Sequence, residues 1–382
     1  MLKMEKEVVI LGDVELGGGT LTDDFISDTA LVDLINRCND AKKEVDLIFN
    51  GDTFDFLKCP YVNENGKRSY PRHITAKISL TKLKLIYREH KFVFEAWKKF
   101  VDCKKHKLYF IFGNHDHDLF FKQVQEEIER ILEVKHNNVF FNLKYNEHKI
   151  YVEHGHQYDY LNKVNPKRVF LKYKGEHILN ISWVSLGIIS KFMTLKEEHP
   201  FLERIKPLPK LFSHHKIVVK KISLRSLEYF LKSVFYYPLK YYYDPTYTFP
   251  RVLFREFYRR FKNKHWEVDR IVDKFKKKNR KKLGKNKVYV LSHIHEKYLE
   301  EKEGWVLIHP DTWRDEYILQ EHSKELVPKV KSYVHIIIKG EELEWDLVNH
   351  SISRKILRFD DVKDDEHRFI DIVKREEREV YK

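Results

Sequence analysis

Five short runs of aliphatic, β-branched and aromatic residues each stop at a polar cluster, and no other feature restricts the fold of this chain so strongly. Val8 to Leu11 leads into Gly12-Asp13, Leu47 to Phe49 into Gly51-Asp52, and Leu108 to Phe112 into Gly113-Asn114-His115. Lys149 to Val152 leads into His154-Gly155-His156, and Val288 to Leu291 into Ser292-His293-Ile294-His295. Runs this short and this apolar predict strands buried on both faces. Between them, Leu31, Leu34, Ile35 and Cys38 recur at helical spacing, as do Leu83, Ile86, Val93, Trp97 and Val101. Val124, Ile128, Ile131 and Leu132 form a third stripe, with Asp118 placed to start that helix. Alternating strands and helices predict an α/β fold, in which ligand sites form at the carboxyl ends of the strands.

After residue 160 the texture changes. The segment from Leu161 to Lys285 carries 31 Lys or Arg against 10 Asp or Glu, within a chain whose net charge is +14. The rest of the molecule is therefore acidic. Aromatics interleave with the basic residues, as in Phe235-Tyr236-Tyr237, Tyr241-Tyr242-Tyr243 and Phe254 to Phe261. We read residues 1–160 as the first part of a core, 161–285 as a basic, aromatic, mainly helical insertion, 286–350 as the second part of the core, and 351–382 as a charged, solvated tail. Further strands are expected at Trp305 to Ile308, Val334 to Ile338 and Leu343 to Val348. Such charge asymmetry calls for an anionic partner. Ile178 to Leu195 is apolar but broken by Asn180, Ser182, Ser185, Ser190 and Lys191, which predicts a buried or interfacial helix and not a span. Three scattered cysteines and an amino terminus without an apolar core predict a cytoplasmic protein, peripheral to the membrane at most.

The strand ends supply carboxylates, an amide oxygen and imidazoles from separate parts of the chain. Hard divalent ions prefer such donors, and two ions about 3.5 to 4 Å apart need a carboxylate able to bridge them. Extended chain places Asp13 and Glu15 on one side, and likewise His293 and His295, so each pair can address one centre. Gly17-Gly18-Gly19 lacks the lysine and serine of a phosphate-binding loop and predicts a flexible turn. Neither a thiol nucleophile pattern nor a G-x-S-x-G block is present.

Taken together, Asp13-Val14-Glu15, Gly51-Asp52-Thr53-Phe54-Asp55, Gly113-Asn114-His115-Asp116, His154 and Ser292-His293-Ile294-His295 resemble the calcineurin-like metallophosphoesterase pattern D-x-H, G-D-x-x-D, G-N-H-D/E, H, G-H-x-H. The resemblance covers roughly residues 7 to 160 and 286 to 350, and is nearest to the UDP-diacylglucosamine pyrophosphatase-like branch. It implies a four-layer α-β-β-α sandwich of two mixed sheets with a mainly helical insertion. It also implies two divalent ions, Mn first with Mg, Fe and Zn as alternatives. Asp13, Asp52 and His295 would hold one ion, with Asp52 bridging, and Asn114, His154 and His293 the other. His115 would sit beside the leaving group as general acid or electrostatic stabiliser with Asp116 behind it as its orienting partner, while Asp55 and His156 take outer roles at the site or the substrate. A hydroxide held between the ions would attack phosphorus.

Two positions depart from the pattern. Glu15 stands where the family has histidine, and Ser292 where it has glycine. Glu15 is expected to ligate the first ion, lowering the charge of that centre and favouring Mn or Mg over Zn; the alternative is a weakened first site with one tight ion. His117, Asp159 and the stretch His309-Pro310-Asp311-Thr312-Trp313 lie near the blocks without an assigned role. The expected substrate is a phosphodiester, phosphomonoester or pyrophosphate, lipid-linked or nucleotide-linked, with residues 161–285 as a lid facing an anionic membrane surface. The runner-up is a nuclease or end-processing phosphatase that uses the same lysines and tyrosines on nucleic acid. A third reading makes Glu15 the mark of a decayed site in a binding module.

Overall fold

Strand registers explain why the motif residues meet. In the computed structural model, which describes residues 5–207, 211, 215–250, 253, 255, 271–352 and 354–379, Glu5–Leu11 runs parallel to Glu44–Asn50, which runs parallel to Lys107–Ile111. Leu11 lies opposite Phe49, and Phe49 opposite Phe110, so the polar residues that follow all emerge at one edge. The complete first sheet has the order Glu342–His350, Lys331–Lys339, Glu5–Leu11, Glu44–Asn50, Lys107–Ile111, Val139–Asn142, with its first two pairings antiparallel.

A second mixed sheet has the order Lys297–Lys302, Trp305–Pro310, Val288–Val290, Ile150–Val152, Tyr145–Glu147. Val152, Val290 and Ile308 share a register, which brings the residues after three parallel strands to a common edge.

Alternation of side chains then builds the layers. Val8, Ile10, Ile48 and Ile111 from the first sheet pack on Ile150, Val152, Val290 and Ile308 from the second. The opposite face of the first sheet, with Val9, Leu11, Leu47, Phe49 and Phe110, is covered by the helices Asp28–Asn39, Ala76–Glu89, Lys91–Asp102 and Lys122–Ile131. Ile271–Asn279 covers the outer face of the second sheet, setting Ile271, Val272 and Phe275 against Tyr289, Leu291 and Leu307. These are the four layers of an α-β-β-α sandwich built on two mixed sheets.

Several local expectations change. The stripe from Leu83 to Val101 is two helices, because His90 leaves helical geometry at φ −101° and ψ 34°. Asp118 does not cap the fourth helix. It sits in a short 3-10 turn with its carboxylate accepting from Ser79 Oγ, and the helix starts at Lys122. Gly17-Gly18-Gly19 is packed, with Gly19 N donating to Asp23. The tail is not simply solvated: Phe359, Val362, Ile370 and Val373 are buried against Phe201, Ile205 and Tyr317.

Ile178 to Leu195 begins in a hairpin strand and continues as helix, and its Leu179, Ile181, Leu186 and Ile189 join the main core. Of the aromatic runs, Tyr237 and Tyr241 pack on Tyr247, which also receives the Arg72 guanidinium 4.0 Å from its ring centre. Phe254 and residues 256–261 lie outside the described residues.

Candidate metal centre

The chain makes sharp turns to deliver its polar groups. Asp13, Glu15, Asp52, His293 and His295 all have positive φ, between 46° and 82°, a region costly for non-glycine residues and concentrated at functional sites. Backbone bonds hold them there. Glu15 N donates to the Asp52 carbonyl at 2.7 Å, and Thr312 Oγ1 and Trp313 N donate to the Asp13 carbonyl at 2.8 and 3.0 Å. The stretch after His309 therefore clamps the first strand end. At Gly113 any Cβ would collide with the Asp52 carboxylate and amide, so glycine is required.

One half of the site gathers Asp52, Asn114, His154 and His293. His154 Nδ1 donates to the Asn50 carbonyl at 2.9 Å, which turns Nε2 toward Asp52 Oδ2 at 3.1 Å and Asn114 Oδ1 at 3.3 Å. Donor atoms of Asp52, His154 and His293 all lie within 4.8 Å of one another. His293 Nε2 donates to Asp159 at 3.2 Å, which fixes the ring and leaves its other nitrogen for a cation.

The other half gathers Asp13, Glu15 and His295. His295 Nε2 is 3.4 Å from Asp13 Oδ1 and 3.5 Å from Glu15 Oε1. Asp13 Oδ1 is buried without a hydrogen-bond partner, while its Oδ2 accepts from His293 N at 3.0 Å. An orphaned buried carboxylate oxygen beside an imidazole nitrogen fits a divalent cation. These residues therefore suit the ions the motifs imply.

His115 lies between the halves. Its amide donates to Asp52 Oδ1 at 2.7 Å and its Nδ1 to Asp55 Oδ1 at 2.9 Å. The carboxylate on the ring is thus Asp55. Asp116, expected behind His115, instead accepts backbone amides from Gly113 at 2.6 Å and Thr53 at 2.9 Å, tying two strand ends together. The turn after the strand folds Asp116 back under the Gly113 amide of its own loop, where its second oxygen also meets the Thr53 amide. His156 and His117 form an adjacent pair at 5.7 Å between ring centres, with His117 donating to the Asn114 carbonyl. Ser292 Oγ accepts from Asn50 and fills the space over Gly12.

Electrostatics follow from this crowding. Burial opposes charge on His154 and His295, yet Asp52 and Asp13 respectively outweigh it, and both are raised to about 9. His115 rises to about 10 against burial, through Glu15, Asp55 and Asp52. Burial and Asp52 push the Asp116 carboxyl up to about 8. Glu15 moves the other way. Despite complete burial, Arg314 and Lys58 hold it at about 2.

The calcineurin-like phosphoesterase family model matches residues 7–315. The chain belongs to that family. No curated protein sequence matches it. Among solved structures, it is similar to a novel archaeal phosphodiesterase at 10% identity, covering 90% of this chain and 99% of that one with a TM-score of 0.29. It is also similar to a predicted phosphoesterase from Streptococcus pneumoniae (7% identity, 92% and 97% covered, TM-score 0.25) and to Vps29 complexed with zinc from Entamoeba histolytica (8%, 90% and 99%, TM-score 0.28). None of the three bears on the chemistry, and the assignment rests on the family match. Family membership makes the protein a metal-dependent phosphoester hydrolase.

Against the calcineurin-like pattern, the residues that sequence reading misses are Asp24, Lys58 and Arg314. Lys58 Nζ donates to Glu15 Oε2 at 3.0 Å and Asp24 Oδ2 at 2.7 Å, and lies 3.1 Å from Asp55 Oδ2. Arg314 reaches Asp24 at 3.0 Å and Glu15 Oε1 at 3.5 Å. The one available signal is the lysine placed three residues after Asp55.

Proposed function

We propose that the protein hydrolyses a lipid-linked phosphoester or pyrophosphate at a centre of two divalent ions, Mn first, held by Asp13, Glu15, Asp52 and His295 and by Asp52, Asn114, His154 and His293. The observation that carries the reaction is the convergence of these donors at the shared edge of two sheets. Bound divalent ions lower the pKa of water toward about 7 and neutralise phosphoryl oxygens. The chain's own residues do the rest. Asp55 holds His115 by Nδ1, so Nε2 is the nitrogen that carries a proton to the leaving oxygen. Asp116 keeps that turn in register by binding the Gly113 and Thr53 amides.

Substrate class is supported by the segment 161–285, which we read as a cap. A cavity of about 320 Å³ is lined by Met193, Leu195, Leu211, Val218 and Ile222, with Lys196 and Glu203 in its wall. Lys196 pairs with Asp24 at 2.6 Å, and Glu203 lies 3.5 Å from Lys58, so an apolar chamber adjoins the charges beside Glu15. A phosphoester with an acyl or prenyl chain satisfies both environments.

The partner surface is supported by the helix that begins Lys216–Leu231 and continues through Lys232–Tyr236 to Lys240. Ile217, Leu224, Leu227, Leu231, Phe235 and Leu239 are between 45% and 80% exposed on it. Lys216 and Lys220 are exposed beside them. An apolar stripe edged by lysines suits an anionic bilayer surface. A second copy of the chain would oppose like charges, and nucleic acid has no use for the five aliphatic tips of this stripe. None of the described helices is long and apolar enough to cross a membrane.

Hydrolysis of bis(p-nitrophenyl) phosphate with added manganese tests the reaction. Asp52→Ala, Asn114→Ala and His115→Ala should each lose at least about a hundredfold in rate, the lower end of what a lost general acid costs and the upper end of what a disturbed ligand support costs. Full activity in all three would remove the proposal. Flotation with phosphatidylglycerol vesicles tests the surface, and Leu227→Asp with Leu231→Asp should abolish it. Salt-sensitive binding of a single-stranded oligonucleotide without flotation would favour a nuclease instead.

A further inference from the structure

The departure at Glu15 comes with a second departure in space. Glu15 and Lys58 are 0% and 3% exposed, so each charge needs counter-charges held beside it. Glu15, Asp24 and Asp55 offer three carboxylate oxygens close enough to cage a cation. The Lys58 ammonium is that cation, at 3.0, 2.7 and 3.1 Å from them.

The two oxygens of Glu15 are consequently unequal. Oε2 is committed to Lys58, while Oε1 faces His295 Nε2 at 3.5 Å, and that nitrogen is 3.4 Å from the orphaned Asp13 Oδ1. Arg314 approaches Oε1 only at 3.5 Å, and its nearer bond is to Asp24 at 3.0 Å.

A neutral imidazole replaced by a carboxylate adds one negative charge to a metal centre. An ammonium 3.0 Å behind that carboxylate takes it away again. We propose that Glu15 and Lys58 form one charge-neutral unit standing in for the family's histidine, with Glu15 Oε1 presented to a divalent cation beside Asp13 and His295, and Lys58 as the residue that positions it. This rests on the two-ion reading above and deepens it. It also revises the expectation that Glu15 lowers the charge of the first centre: with Lys58 in place the net charge is unchanged, and only the hardness of the donor set increases.

The surrounding residues obey the same balance. Asp24 takes Lys196 at 2.6 Å as well as Lys58 and Arg314, so removal of Lys58 alone would leave carboxylates unpaired on the Glu15 side. The proposal therefore predicts coupling between positions 15 and 58 and not merely importance of each.

The test measures Mn²⁺ binding to the full chain by titration calorimetry, with electron paramagnetic resonance to register coupled ion pairs. The wild type should bind two equivalents with an exchange-coupled spectrum. Glu15→His alone removes the one carboxylate that stands between the Lys58 ammonium and the ion, leaving that ammonium with Asp24 and Asp55 only, and should weaken the weaker Mn²⁺ site by at least about tenfold. Adding Lys58→Met should return it to within about threefold of wild type and restore the coupled spectrum, which a purely structural lysine would not do. Glu15→His binding as tightly as wild type, or no recovery in the double variant, overturns the proposal. Should Glu15→His not fold, soluble and cooperatively unfolding protein in the double variant reads the same coupling, and failure of both counts against it. No Mn²⁺ binding by the wild type would instead sink the metal-centre reading, whereas two bound ions without coupling to Lys58 would sink only this one.

Discussion

The two halves of the centre are built by different physics. On the His154 side, the supporting contacts are dipoles and a single carboxylate: the Asn50 carbonyl on His154 and Asp159 on His293. On the Glu15 side they are full charges, with Asp24, Asp55, Lys58, Lys196 and Arg314 interlocked and each less than 10% exposed. A dipole that orients a ligand tolerates loss of the contact with a modest change in geometry. A buried charge network does not, since each member is stable only while its counter-charges remain. The same edge of the two sheets therefore has one side that should fail gradually and one that should fail through the fold.

Asp24→Asn is the sharpest way to break this contrast. Asp24 receives Lys58 at 2.7 Å, Lys196 at 2.6 Å and Arg314 at 3.0 Å, so neutralising it strands cations in a dry interior. The expected loss is about 3 to 5 kcal/mol of stability, measured by urea unfolding. A loss below about 1 kcal/mol would mean that the network is not cooperative. Asp159→Asn should behave oppositely. It loosens the His293 ring at 3.2 Å and should weaken manganese binding by roughly 10 to 100-fold, with unfolding little changed. Equal destabilisation by the two variants would erase the distinction.

The difference also sets what can be read from sequence. Within Glu44–Asn50, Lys107–Ile111 and Val288–Val290, the stretches Leu47 to Phe49, Leu108 to Ile111 and Val288 to Val290 are buried on both faces, so they appear as short apolar runs, and the polar residues that follow mark the site directly. Much of the dipolar half is legible for that reason: Asp52, Asn114 and His293 follow such runs, while His154 follows the shorter, partly covered strand Ile150–Val152. The charged half is only partly so. Lys58 and Arg314 look like ordinary surface residues, because ion pairs between positions far apart, such as Asp24 with Lys196 or Arg314, leave no local periodicity. Helical spacing likewise does not say which face turns inward. In Lys216–Leu231 it is Val218 and Tyr229 that are buried, while Leu224, Leu227 and Leu231 look out. The packed tail leaves little pattern in the sequence because its buried Phe359, Val362, Ile370 and Val373 are diluted among many charges.

The charged half reaches one step further, and pH exposes the smallest effect. His90, at the break between two helices, is 2% exposed and lies between Asp28 at 2.7 Å and Asp23 at 3.3 Å, next in sequence to Asp24. Burial alone would lower its pKa, but the Asp28 charge and the Asp23 bond prevail and raise it well above 6.5. A group raised on folding stabilises the native state fully below its unfolded pKa of about 6.5, and that contribution fades as pH climbs through the folded value. Wild type should therefore exceed His90→Gln in stability by about 1 to 2 kcal/mol near pH 6, with the gap closing toward alkaline pH. Unfolding curves of both proteins across that range measure the gap, and a gap that widens with pH would show that His90 is buried neutral, leaving the charge network to end at Asp24.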